Sequence, residues 1–271
     1  MLTRKSPFAQ GENDRTIMQD GFSAPVESAP RQRFSSACAM VGRRVMDFSD
    51  NGDGTLTAVR CVDRQADDLD IQFEAGACPV VAIAPRAFEG CAALRRVILP
   101  ESLRQIGEMA FSGCSHLRLL TIPGGVQRVG TLAFAKCSQL ERVRIEPGVV
   151  QLGPSCFSKC AALKRVEMPA SVTQIGGGAF FGCRQLVSVS FERGLEQLKD
   201  SAFAGCESLT QVTLPWGTSA VGRMAFFGCT RLSFVKMPTT TRVSDFAFDG
   251  CAPGIRVFGG VYAGRMNPIS E

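Results

Sequence analysis

The sequence predicts a solenoid of stacked, near-identical coils, and three observations predict it. Cysteines recur at 91, 114, 137, 160, 183, 206 and 229, each 23 residues after the last, and then at 251 after 22. A phenylalanine stands three residues before every one of them, from Phe88 to Phe248. A leucine follows seven of them by three, at 94, 117, 140, 163, 186, 209 and 232. A fixed period sustained over about 170 residues marks a repeat architecture, in which each unit buries its apolar side only against its neighbours.

Each part of the unit has a structural reason. Alternating apolar residues such as Val97 and Leu99, or Val143 and Ile145, describe a short strand with one buried face. Proline at 100, 123, 169, 215 and 238 closes that strand, because it cannot donate to a ladder. A second apolar pair follows, three residues apart, as in Leu103 with Ile106 and Val172 with Ile175. The Ala-Phe-x-Gly-Cys segment then turns the chain back as one short helical or irregular turn. Strands of successive coils stacked about 4.8 Å apart make a parallel sheet over a continuous core of Leu, Val, Ile and Phe.

This unit, Ile-Gly-x-x-Ala-Phe-x-Gly-Cys-x-x-Leu-x-x-Val-x-Ile-Pro, closely resembles the BspA-type leucine-rich repeat, the 23-residue class also described as the Treponema type. The resemblance covers residues 83–251. It implies an α/β-class, right-handed leucine-rich-repeat solenoid, mostly β and irregular coil, with its parallel β-sheet on the concave face. "LDIQFEAGACPVVAIAPRAF" is similar to a lengthened first unit with Ile71 and Phe73 as its strand, and "GIRVFGGVYAG" to the terminal half-unit of the family. Glu146 and Glu192 stand where proline is usual, Lys199 replaces a glycine, and one residue is missing near Thr239–Arg242. These departures bear on local turns.

The flanks read differently. Residues 1–35 are rich in Ser, Pro, Gln and charge, and disorder is expected there. Residues 36–82 hold a β-hairpin around Asn51-Gly52-Asp53-Gly54 and the degenerate first unit, residues 83–251 the solenoid, and residues 252–271 the closing half-unit and tail. The hairpin would cap the open edge of the first coil.

Composition excludes several classes. The chain is 45% apolar and 20% charged, which suits a soluble globular protein, and no apolar run approaches the length of a membrane span. Its N-terminus lacks an apolar signal region. With no Asn-x-Ser/Thr sequon and a cysteine file that reads as reduced, the expected location is cytoplasmic. The net charge of +5 is local: residues 83–168 carry twelve basic against six acidic side chains, and residues 169–251 seven against six.

Chemical sites are each outweighed by a structural reading. Aligning "DNGDG" as a calcium loop puts Ser49 and Arg60 where acids are required, so a plain turn is expected. The twelve cysteines contain no Cys-x-x-Cys pair of the kind zinc sites use. The periodic ones read as small apolar corner residues, with Cys38, Cys61 and Cys78 left open for a disulfide if the protein is exported. His116 occupies a position that elsewhere accepts Ala, Gln, Ser and Arg, which is a solvent-facing turn and not a tuned base. No phosphate loop or nucleophile motif occurs, so neither an enzyme nor a cofactor or metal is expected.

The strand residues that must face solvent carry the remaining signal. Arg95, Arg96, Arg118, Arg142, Arg144, Lys164 and Arg165 fall on four consecutive coils and would form one basic cluster. With one Trp and one Tyr in the chain, base stacking has little support and nucleic acid is not the expected partner. The expectation is a non-enzymatic protein-interaction scaffold whose concave face takes an acidic protein segment, Arg forks pairing with carboxylates. The alternative is an exported cell-surface adhesin for proteins or glycans, in keeping with the surface or secreted location that the resemblance implies.

Overall fold

The computed structural model describes residues 45–262. The disorder expected over residues 1–35 lies outside them. The described residues open with an antiparallel hairpin, β1 (Met46–Asp50) and β2 (Leu56–Cys61), with Met46 opposite Cys61, Asp50 opposite Leu56 and a one-residue register shift between Asp47 and Phe48. A strand β3 (Asp68–Asp70), a five-residue helix α1 (Ile71–Ala75) and a strand β4 (Val80–Ile83) follow. From there the chain winds into coils that each contribute one longer and one very short strand.

The longer strands form a nine-stranded sheet. It starts with β3 and runs in chain order through Arg96–Ile98, Leu119–Ile122, Arg142–Ile145, Arg165–Met168, Ser188–Phe191, Gln211–Thr213, Phe234–Lys236 and Arg256–Phe258. All these pairings are parallel. This is the parallel-sheet solenoid predicted from the repeat, with almost no helix. One placement differs from the sequence reading. Ile71 and Phe73 are not the first strand; they lie in α1, where the Asp70 side chain caps the helix by accepting from the Phe73 N–H. Leu69, between Asp68 and Asp70, is the buried residue of the true first strand.

A second sheet was not foreseen. The apolar residue ending each coil's second pair sits in a two-residue strand, such as Gln105–Ile106, Gln151–Leu152 or Gln174–Ile175. Eight of these follow β1, β2 and β4 in an eleven-stranded sheet. Gln151, Gln174 and Gln197 are in register, as are Leu152, Ile175 and Leu198. Two residues per strand are too few for an alternation to show in the sequence, yet stacking repeats the pair until a continuous ladder results.

Between the sheets lies the aromatic spine. Phe88, Phe111, Phe134, Phe157, Phe180, Phe203, Phe226 and Phe248 lie in file, neighbouring ring centroids 4.7–5.6 Å apart and planes within 14° of parallel. All but Phe248 are fully buried. The turn carrying each ring is tied to the next coil by its backbone: the Phe111 N–H donates to Ala133 O at 2.7 Å, and the Phe134 N–H to Cys156 O at 2.8 Å. Because only the carbonyl is used, Cys156 can stand where the other turns have alanine. Thr218 and Thr241 likewise occupy core positions, and each hydroxyl donates to the coil before it, to Leu195 O at 3.1 Å and Thr218 O at 2.7 Å. Buried hydroxyls satisfied in this way cost little.

The glycine of the Ala-Phe-x-Gly-Cys turn is required by its backbone, since Gly113, Gly182 and Gly205 have φ of 78°, 70° and 72°. Two coils force lysine into the same left-handed conformation, Lys136 at 61° and Lys159 at 62°. Both side chains are exposed, so the backbone penalty has no compensating packing. Lys136→Gly and Lys159→Gly are each expected to stabilise the protein by about 1 kcal/mol in urea denaturation, while Lys159→Ala leaves the midpoint unchanged.

Candidate interaction face

The outward residues of the nine-stranded sheet align in columns set by its register. One column runs Asp68, Arg96, Leu119, Arg142, Arg165, Ser188, Gln211, Phe234 and Arg256. Two residues on, Thr121 pairs with Arg144 and Glu167 with Ser190. The column just before the strands is continuous as well. The Arg118 N–H donates to Arg95 O, Glu141 to Arg118 O, and Lys164 to Glu141 O, at 3.3, 2.9 and 3.2 Å. The structure therefore gathers Arg95, Arg96, Arg118, Arg142, Arg144, Lys164 and Arg165 on one surface, every one of them exposed.

Within the cluster the charges are not equivalent. Lys164 Nζ lies 3.5 Å from Glu141, and Arg144 Nε 4.0 Å from Glu146. Both pairs are solvent-exposed and contribute little to stability. Arg95, Arg118, Arg142 and Arg165 have no carboxylate within 4.0 Å among the described residues. Leu119 stands between Arg96 and Arg142 with nearly half its surface in water. An apolar side chain flanked by two guanidinium groups in register is a feature that the charge pattern alone did not reveal.

The edges of the cluster are also defined. On one side Asp68 pairs in register with Arg96, and Asp67 O accepts from the Arg95 N–H. Placing the first strand at Ile71 and Phe73 had hidden this acidic border; the Asp-Leu-Asp alternation of 68–70 was the signal that could have found it. On the other side Ser188 and Ser190 end the basic character. Four strands about 4.8 Å apart give the basic strip a width of about 14 Å.

The other candidate residues have structural roles. The Asp50 carboxylate accepts from the Gly52 N–H at 2.8 Å, and Asp53 from both the N–H and hydroxyl of Thr55, at 2.9 and 2.5 Å. Those bonds, the hydroxyl first, hold the Asp53 carboxyl below its ordinary range. The loop thus spends its carboxylates on the turn. His116 is exposed, with Nδ1 2.6 Å from Ala92 O. No group of three or more His, Cys, Asp or Glu side chains among the described residues is arranged to hold a metal ion. Nor is any described helix long and apolar enough to cross a membrane.

The cysteine file does more than fill corners. Each periodic thiol, at Cys114, Cys137, Cys160, Cys183, Cys206 and Cys229, donates to the carbonyl of the phenylalanine 26 residues back, at 3.2–3.3 Å, as Cys137 does to Phe111 O. These thiols are buried. Burial pushes Cys114 and Cys156 well above the ordinary thiol range and Cys183 up to about 12. Native protein carrying Cys38→Ser and Cys78→Ser should therefore leave the thiols from Cys114 to Cys229 unreactive towards a disulfide reagent at pH 8 until it unfolds. Prompt labelling of Cys160 or Cys183, located by peptide mapping, would contradict the burial.

Residues 81–210 and 150–257 match the family model for the BspA type leucine rich repeat region, which is present in six copies. The crystal structure of a leucine-rich-repeat protein from T. pallidum is similar at 32% identity and TM-score 0.65, the match covering 71% of this chain and 90% of that one. A leucine rich cell surface protein from Faecalibacterium prausnitzii matches at 20% identity and TM-score 0.33, over 83% of this chain and 95% of that one. A comparison with curated proteins finds no match. With the repeat, the file of phenylalanines and the family model in agreement over most of its length, the chain belongs to the BspA-type leucine-rich-repeat family.

Proposed function

We propose that this protein is a non-enzymatic scaffold that captures an acidic protein segment on the outer, concave face of its nine-stranded sheet. Repeats of this family are generally protein-interaction scaffolds. The observation that carries the finer reading is convergence. Seven cationic side chains spread over 70 residues of sequence meet on four neighbouring strands. Four of the arginines have no carboxylate partner among the described residues. Guanidinium forks suit paired recognition of carboxylates, and Leu119 offers an apolar rest for a side chain between them. Asp67, Asp68 and Asp70 repel an acidic ligand from one side, which fixes where it ends.

A fluorescein-labelled oligoglutamate peptide carrying one leucine tests this by anisotropy. The wild type is expected to bind, more weakly as salt rises. The triple variant Arg142→Glu/Arg144→Glu/Arg165→Glu is expected to bind at least tenfold more weakly, with a thermal midpoint within about 2 °C of wild type, as for exposed substitutions. Equal binding by the variant, or no binding by the wild type at low salt, would remove the basic face from the account. We place this activity in the cytoplasm; twelve free thiols on denaturing, non-reducing titration support that placement over export.

A further inference from the structure

The two ends of the stack are built differently. β3 opens the nine-stranded sheet, but the eleven-stranded sheet begins two strands earlier, with the hairpin β1 and β2. That end is stepped by about 10 Å, two strands at their usual spacing. The other end is flush. Arg256–Phe258 and Val261–Tyr262 close the two sheets within one coil, and no described strand lies beyond either. Its apolar side chains are short of cover. Phe248, Cys251, Val257 and Tyr262 are only partly buried, whereas their counterparts one coil earlier, Phe226, Cys229, Val235 and Val243, are 0–1% exposed. Phe258 and Val261 stand 51% and 56% exposed at the same end.

The geometry points to this flush end as an interface for a second copy of the chain, met end to end about a two-fold axis. The edge of its last long strand is self-complementary. The Arg256 N–H donates to Ser233 O at 3.0 Å, and Phe258 O accepts from the Met237 N–H at 2.9 Å. Both residues thus spend their backbone groups on the neighbouring strand, and alternation aims the Val257 N–H and carbonyl at the open edge. Antiparallel pairing about Val257 joins each of these N–H groups to the Val257 carbonyl of the other copy. The same register sets Arg256 opposite the partner's Phe258, and Phe258 opposite the partner's Arg256, at the closer of the two antiparallel spacings. Both side chains are exposed, so two guanidinium-on-ring pairs follow from a single strand.

A head-to-tail stack fits less well. It would bring β3, with Asp68 and Asp70, against Arg256 and Phe258, but the hairpin stands two strands proud of β3 and holds the nine-stranded sheets apart. Isologous contact avoids that step and closes at two copies. A two-fold axis through both terminal strands also sets Val261–Tyr262 against itself, so both sheets continue across the junction. Pairing covers an edge that would otherwise invite disordered association. The basic strip stays open on both copies, because three strands separate Arg165–Met168 from Arg256–Phe258. The interface is therefore independent of what that strip binds.

Sedimentation velocity of the full chain tests this. A concentration-dependent equilibrium between monomer and dimer is expected, with nothing larger, and X-ray scattering should show the dimer's long axis nearly doubled. Phe258→Lys sets a lysine against Arg256 at both crossings and is expected to weaken dimerisation about tenfold or more, with the thermal midpoint unchanged. Adding Arg256→Glu to it gives each crossing an ion pair and is expected to restore the dimer, which also shows that the chain still folds. A wild type that stays monomeric, polymers that grow with concentration, a dimer indifferent to Phe258→Lys, or a double variant no better than the single one overturns the proposal. So does a monomer that pairs only after residues 263–271 are removed, since that segment would then be the cover.

Discussion

Phe157→Ala is expected to destabilise the protein by about 3–5 kcal/mol, as large-to-small changes at fully buried aromatics do. Phe157 is fully buried and stacked between Phe134 and Phe180, with centroids 5.5 Å away on each side. Removing the ring leaves a cavity that the coil cannot close, because the Phe157 N–H is bonded to Ala179 O in the next coil and its turn is held in place. Two stacking contacts, each contributing about 0.5–1.5 kcal/mol beyond burial, are lost together. Phe248→Ala is the matched control: its ring is only partly buried and stacks on Phe226 alone. Urea denaturation should place the Phe248 variant well above the Phe157 variant. Equal losses at the two sites would mean that the file does not act as a continuous spine.

The second large effect tests the sheet that the sequence concealed. Ile175→Asp is expected to abolish folding or to cost more than about 4 kcal/mol, since it buries a carboxylate without a partner. Ile175 is fully buried and lies in register between Leu152 and Leu198, so both neighbours are apolar. Gln174, one residue away and only half-buried, points to the other face of the same two-residue strand. Gln174→Asp should cost less than about 1 kcal/mol. A comparable loss at both positions, read from soluble yield and urea midpoints, would argue against the inward and outward assignment of these short strands.

How much of this could be read from the residues follows from the length of each signal. The phenylalanine file was legible because eight members recur at one nearly constant spacing. The faces of the longer strands were legible because three or four residues suffice to show alternation, as in Arg142 to Ile145. The two-residue strands were not, because Gln151–Leu152 alone has no period. The first strand was misplaced because Ile71 and Phe73 also alternate, and only the capping bond from Asp70 to the Phe73 N–H shows that this alternation belongs to a helical turn. The thiol-to-carbonyl bonds were invisible for another reason. Cysteine reads as a small apolar residue, and its weak donor matters only once the partner carbonyl is placed.

For the candidate face, the sequence supplied the seven cations and the register supplied their meaning. Leu119 carries no charge to mark it in the sequence; its position in register between Arg96 and Arg142 gives it a role. The acidic border at Asp67 and Asp68 became visible only when β3 was placed correctly, and it turns an extended basic surface into a bounded strip.

The account rests on stacking that makes neighbours of side chains far apart in sequence. Arg118→Glu and Arg165→Glu, 47 residues apart, test that most directly against a five-residue acidic peptide, which spans about 17 Å when extended. Each single reversal is expected to weaken binding of that one short peptide at least threefold, with the loss shrinking as salt rises. Binding that responds to only one of the two reversals, or to neither, would contradict it.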